Sequence, residues 1–125
     1  MKITEKDQIY INQVLAEMRM HHEDKKFKNC IRLPYNTTQE HDEKMCYVCS
    51  KLMRNPEKHR IIFWTECRIG TGRADIFYIN LDLRLHGVIE VLVTEEDDNL
   101  VSKANKYNCV VIPYRDGDFD YKRTC

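Results

Sequence analysis

The chain has 125 residues, 42% of them apolar and 32% charged, which is enough for one domain with a real core and too little for two. Its 20 Lys and Arg balance 20 Asp and Glu, excluding a globally basic nucleic-acid binder, so any such contact must come from a local patch. No apolar run approaches the ~20 residues of a membrane span, and the polar N-terminus lacks a signal-peptide core; the chain reads as cytoplasmic, with no membrane partner.

Thr4 to about Glu23 reads as a first helix, opened by a Thr4-x-x-Asp7 capping box and carrying Ile11, Val14, Leu15, Met18 and His22 on one face. A charged connector with Lys25, Lys26 and Lys28 follows, then a short edge strand over Cys30 to Leu33 that Pro34 ends. Thr37-x-x-Glu40 marks the start of a second helix, and Pro56 lies just beyond its end. Met45, Val48, Cys49, Leu52 and Met53 form its apolar stripe, which reaches His41 one turn earlier; at such a place a lone His reads first as a hydrogen-bonded core residue. Glu40 and Lys44 form a favourable i,i+4 pair.

Arg60 to Glu66 reads as a strand with Ile62, Trp64 and Glu66 on one face. Gly70-Thr-Gly72 turns it into a second strand, so the two should form an antiparallel hairpin whose turn is flanked by Glu66 and Asp75. Alternation puts Asp75 with Arg73, Phe77 and Ile79, and in the next strand, from Val88, Glu90 with Val88 and Leu92. Thr94 caps a third helix with Asp97 at the box position; Leu100, Val101, Ala104 and Tyr107 are its buried stripe, with Lys103 beside it. Cys109 to Ile112 is a last buried strand, parallel to its neighbour by the right-handed crossover rule, and from Tyr114 the tail turns polar.

Asp75 and Glu90 are the informative residues. A carboxylate inside an apolar strand is costly unless its desolvation is offset, and two on adjacent strands also repel. A divalent cation between them answers both problems, since it brings positive charge and takes hard oxygen ligands. Placement at strand ends, in water, is the plainer alternative for either acid alone.

Gly72-Arg-Ala-Asp75, a hydrophobic strand, then Ile89-Glu90-Val91 resembles the core of the PD-(D/E)XK nuclease superfamily, which includes restriction endonucleases and Holliday junction resolvases. The likeness covers roughly 36–113 and departs from the pattern at Leu92, where the motif lysine should stand. It implies an α/β fold, with a restriction-endonuclease-like αβββαβ core, a mixed four-stranded sheet and an extra N-terminal helix. The single domain then divides into a helical addition (1–35), the nuclease-like core (36–113) and a polar tail (114–125). It implies a divalent-metal-dependent endonuclease acting on DNA, with Mg²⁺ or Mn²⁺ held by Asp75, Glu90 and the carbonyl of Val91, and Lys103 of the following helix in place of the missing lysine as the third catalytic group. Glu40, Glu43 and Glu66 are further acids that could join the site, Arg73 and Lys44 are candidates for nucleic-acid contact, and such enzymes often act as homodimers.

Two other readings stay open. Leu92 also suits a catalytically silent nucleic-acid-binding protein of the same fold. Six cysteines, with Cys46 and Cys49 in CxxC spacing, allow a small Cys/His metal-binding interaction protein using Cys30 and one of His21, His22 or His41. Against this, both CxxC cysteines fall on the helix stripe, where a thiol acts as a small buried hydrophobe.

Overall fold

The computed structural model of the protein describes residues 1–93 and 106–124. The architecture is α/β: a mixed four-stranded sheet in the order β1-β2-β3-β4, with β1 Ile61–Ile69, β2 Gly72–Asn80, β3 Leu85–Val91 and β4 Val110–Tyr114. The β1–β2 and β2–β3 pairs are antiparallel, and β3–β4 is parallel, as the crossover rule requires. Helix α1 (Glu5–Glu17) covers one face and helix α2 (Gln39–Met53) the other.

Each face has its own core. Ile11, Val14, Leu15 and Met18 pack against Ile62, Trp64, Phe77, Ile79 and Val88. On the far side Met45, Val48, Cys49 and Leu52 pack against Ile61, Phe63, Ile76, Ile89 and Val91. Burial on both faces explains why the central strands read as near-continuous apolar runs.

Helix α1 is shorter than its pattern suggests. The Thr4–Asp7 capping box is present, but the helix stops at Glu17. Arg19 takes a left-handed backbone (φ 55°) and Met20 pairs with Ile69, so the following residues are drawn onto the sheet edge instead of extending the helix. A 3₁₀ segment, His22–Phe27, comes next. Helix α2 is capped by Thr38, one residue later than expected; the Thr37 hydroxyl instead donates to Asp42 Oδ1 (2.7 Å). Residues 30–33 form no strand, yet this stretch still closes the outer edge of β1. Asn29 exchanges bonds with the Phe63 backbone, and the Arg32 N–H donates to Thr65 Oγ1 (2.8 Å). An otherwise open sheet edge is thereby covered. The tail is less polar in effect than in composition, for Phe119 and Tyr121 are buried in the α2-side core and Thr124 is buried as well.

Two buried acids fasten the N-terminal part to the sheet. Asp7 is bound by Arg60 (2.6 Å) and Arg84 (2.9 Å); the Arg60 guanidinium, and then the Thr4 N–H, hold its carboxyl well below the usual range. Asp24 is bound by Arg68 (3.0 Å) and Arg32 (3.4 Å). Buried charges persist when paired and hydrogen-bonded in this way. The expected third helix, with its Thr94 cap and Lys103, lies outside the described residues, apart from helical residues 106 and 107.

Leu52 is fully buried between α2 and the sheet. Leu52→Ala should cost about 2–5 kcal/mol through lost burial and a residual cavity, read as a lowered urea midpoint at unchanged slope.

Candidate metal centre

The site forms where the first hairpin changes phase. Up to Trp64, the even-numbered residues of β1 face the α1 core; beyond Glu66 the odd-numbered Cys67 and Ile69 do. On β2 the same slip separates Ala74 from Phe77 and Ile79. Thr65 pairs with Ile76 and Cys67 with Ala74, leaving Glu66 opposite Asp75 at the position where the ladder is interrupted. Glu66 sits at φ 48°, the only non-glycine inside a strand with positive φ among the described residues. Strict alternation would have kept Glu66 with Trp64 and Asp75 with Phe77. The slip overrides that expectation and turns both carboxylates toward the first turn of α2.

His41 meets them there. One ligand atom each of His41, Glu66 and Asp75 can be chosen so that all lie within 4.8 Å of one another, a triad able to hold a metal ion. His41 Nε2 is 3.8 Å from Asp75 Oδ1. The other Asp75 oxygen, Oδ2, accepts the Val91 N–H (2.8 Å). The β2–β3 ladder ends at Ile76–Ile89, so this carboxylate takes over as acceptor where the strands part. Helix α2 begins at the site because Thr38 caps it through the His41 N–H (3.1 Å). The buried His41 Nδ1 has no hydrogen-bond partner among the described residues. Asp42 Oδ1 is 3.6 Å from it, just past hydrogen-bond reach and itself held by Thr37. A ligating imidazole bound through Nε2 keeps its Nδ1 proton and directs it to such a carboxylate.

The electrostatics fit a cation. Burial, and then the neighbouring Asp75 carboxylate, push the Glu66 carboxyl up to about 7, against the opposing pull of His41, Arg73 and Arg32. A bound divalent ion would offset both the burial and the repulsion that raise this carboxyl. One imidazole with two carboxylates suits Mn²⁺ and later divalent metals better than Mg²⁺, which favours all-oxygen shells.

The other expected residues lie around this group. Glu90 is buried on the opposite, α1 side, beside the Tyr107 hydroxyl, and is not one of the converging acids. Burial and then Glu90 raise the Tyr107 phenol, which donates to the Arg73 carbonyl (2.5 Å). Val91 contributes its N–H to Asp75. Glu40 is exposed and pairs with Lys44 (3.2 Å), while Glu43 accepts from Gln39 (2.8 Å); neither reaches the triad. Lys44, with a mostly buried side chain, donates to the Leu92 carbonyl (3.2 Å). Arg73 is exposed. Lys103 lies outside the described residues.

His41, read from sequence as a core residue, belongs to the site; its position one turn before Met45 at a helix start was the available signal. Cys46 is exposed, not buried as its stripe position suggested, whereas Cys49 is buried and its thiol is pushed up to about 12. The five described cysteines are free, and Cys30, Cys46 and Cys49 form no metal-binding group with any described His.

The Glu66 carboxyl gives a pH signature. Its folded value, about 7, exceeds the ordinary 4.5, so the cation-free protein binds the extra proton and loses stability as pH rises between those values. Glu66→Gln removes that penalty. It should raise the Tm of the cation-free protein at pH ~8 by a few degrees and leave it nearly unchanged at pH ~4, in thermal melts with EDTA.

Comparison with protein-family models, curated proteins and solved structures found no match.

Proposed function

We propose that the protein is a divalent-metal-dependent nuclease that hydrolyses DNA phosphodiester bonds, on a fold of the restriction-endonuclease type. The observation that carries this reading is the convergence of Glu66 and Asp75 from adjacent strands with His41 from α2, within 4.8 Å, at the point where β2 and β3 part. The donor set and the raised Glu66 carboxyl both fit a divalent ion. When bound, that ion supplies Lewis acidity toward a phosphoryl oxygen and lowers the pKa of a coordinated water.

The chain's own residues supply the frame. Asp75 is locked by the Val91 N–H, so its free oxygen stays aimed at His41. The carbonyl of Arg73 is anchored by Tyr107, which steadies the strand on the approach to Asp75. Lys44 places an ammonium at the carbonyl of Leu92, the residue that stands where the family motif has its lysine. Lys44 can therefore offset charge near the site from α2, one turn after His41. Lys103 is the alternative source of that amine.

The test is incubation with linear, branched and single-stranded DNA in the presence of Mn²⁺, Mg²⁺ or EDTA. Cleavage is expected with Mn²⁺, at least as fast as with Mg²⁺, and none with EDTA. Asp75→Asn and His41→Ala should abolish it while circular dichroism stays unchanged. If Lys44 carries the ammonium, Lys44→Ala should slow cleavage more than Lys103→Ala. Absence of cleavage of every DNA with either metal would discard the nuclease reading and favour a silent binding protein of the same fold.

A further inference from the structure

Beside the triad lies a concavity of roughly 200 Å³ lined by Arg32, Leu33, Pro34, Glu66 and Arg73. It is several times the ~30 Å³ that a water molecule occupies in the liquid. Glu66 forms its border with the metal-binding group, so an anion seated here would adjoin a cation held by the triad.

Its two arginines are placed differently. The Arg32 guanidinium lies over the Phe27 ring, 4.3 Å from the centroid, and donates to the carbonyls of Thr65 (2.9 Å) and Glu66 (3.3 Å) and to Asp24 (3.4 Å). It thus grips the backbone on both sides of the left-handed turn at Glu66. Arg73 is exposed, its carbonyl is tied down by Tyr107, and its guanidinium carries no ion pair with any described residue. A larger concavity of about 410 Å³ mixes Lys51 and Lys122 with Glu57, Asp118 and Asp120 and shares no residue with the triad, so it lacks both the charge excess and the neighbourhood.

We propose that the concavity between Arg32 and Arg73 is a seat for a backbone phosphate of the nucleic-acid substrate, with Arg73 contacting the phosphate and Arg32 fixing its floor. The proposal rests on the nuclease reading for the identity of the phosphate's owner. An exposed, forked guanidinium that acts on the Glu66 carboxyl without closing an ion pair with it is suited to bidentate phosphate recognition. Arg32 acts differently, as a positioning residue: by binding the Thr65 and Glu66 carbonyls it holds the backbone that aims Glu66 at His41 and Asp75. It comes from the N-terminal stretch outside the family resemblance, so this segment completes a site that the core begins.

Two probes test the seat separately from cleavage. The first is a fluorescein-labelled DNA duplex, with Ca²⁺ in place of Mn²⁺ to suppress hydrolysis. Arg73→Ala should weaken binding about tenfold and lower the salt slope by about one, with Mn²⁺ affinity by calorimetry unchanged. The second is inorganic phosphate on the Mn²⁺-loaded protein. The bound metal should broaden the ³¹P resonance, and Arg73→Ala should remove the broadening. Arg32→Lys keeps the charge and loses the fork; it should weaken Mn²⁺ binding as well, with the fold intact by circular dichroism.

Parent-like duplex affinity and parent-like ³¹P broadening in Arg73→Ala would overturn the seat, even if the parent cleaves DNA. Loss of ³¹P broadening in Arg73→Ala, from a parent that cleaves no DNA, would uphold the seat and remove the nuclease reading. Unchanged Mn²⁺ affinity in Arg32→Lys would refute the positioning role.

Discussion

Everything at the site depends on one backbone constraint, the left-handed conformation of Glu66 in the middle of β1. A side chain in that region costs on the order of 1–2 kcal/mol relative to an ordinary strand conformation. What it achieves is a change of phase. Trp64 and Cys67 both face the α1 core although they stand three positions apart, and Glu66 between them is free to leave that face. Asp75, directly across the ladder, sits at the matching slip on β2. Without the slip, Glu66 would be driven among Trp64, Phe77 and Ile79, where an ionised carboxylate is untenable.

The bonds that hold this conformation come from outside the sheet. Arg32 donates to two successive carbonyls, and the Thr65 side chain binds the backbone of both Cys30 and Arg32. Hydrogen bonds from a charged donor contribute about 1.5–3 kcal/mol, comparable with the cost of the turn. Asp24 in turn fixes Arg32 and Arg68 from a buried position. The first 35 residues are therefore structural members of the site as well as a cover for the β1 edge, although the family resemblance begins only after them. Their attachment through Asp7 and Arg60 at one end of the sheet and Asp24 at the other makes the N-terminal part and the core one packed unit.

Much of this was legible from residue patterns. The capping box at Thr4, the hairpin about Gly70, the parallel last strand and the buried stripe of α2, apart from Met53, which is exposed, all follow from local chemistry and are present. The proximity of Glu66 and Asp75 was legible too, because hairpin register is set by the turn between them. The direction in which they point was not. Period-two alternation assumes an unbroken strand, and nothing in Thr65-Glu66-Cys67 marks a left-handed residue as a Gly or Asn would. His41 was obscured for a related reason: a helix stripe shows which face is inward, but not that the sheet opposite has turned two acids toward it. Glu90 shows the converse. Its alternation with Val88 was correct, and for that reason it lies beside Tyr107, away from the converging group.

The same energetics make the site a poor stabiliser of the fold and a ready host for a cation. Glu66 is desolvated, sits against a second carboxylate and occupies an unfavourable backbone region, so the cation-free protein carries several unfavourable contributions at one position. A purely structural role would be met as well by a neutral residue there. Asp7 and Asp24, also buried, are the contrast: each is surrounded by arginines and held in its ionised form, with no charge left to offset. The protein thus neutralises its structural acids from within and leaves Glu66 and Asp75 facing an imidazole whose second nitrogen is held in reserve. Asp7 and Asp24 have arginines at ion-pair distance, whereas Arg73 and Arg32 act on Glu66 without closing an ion pair and its carboxyl stays raised; that imbalance is one a cation at the triad would relieve.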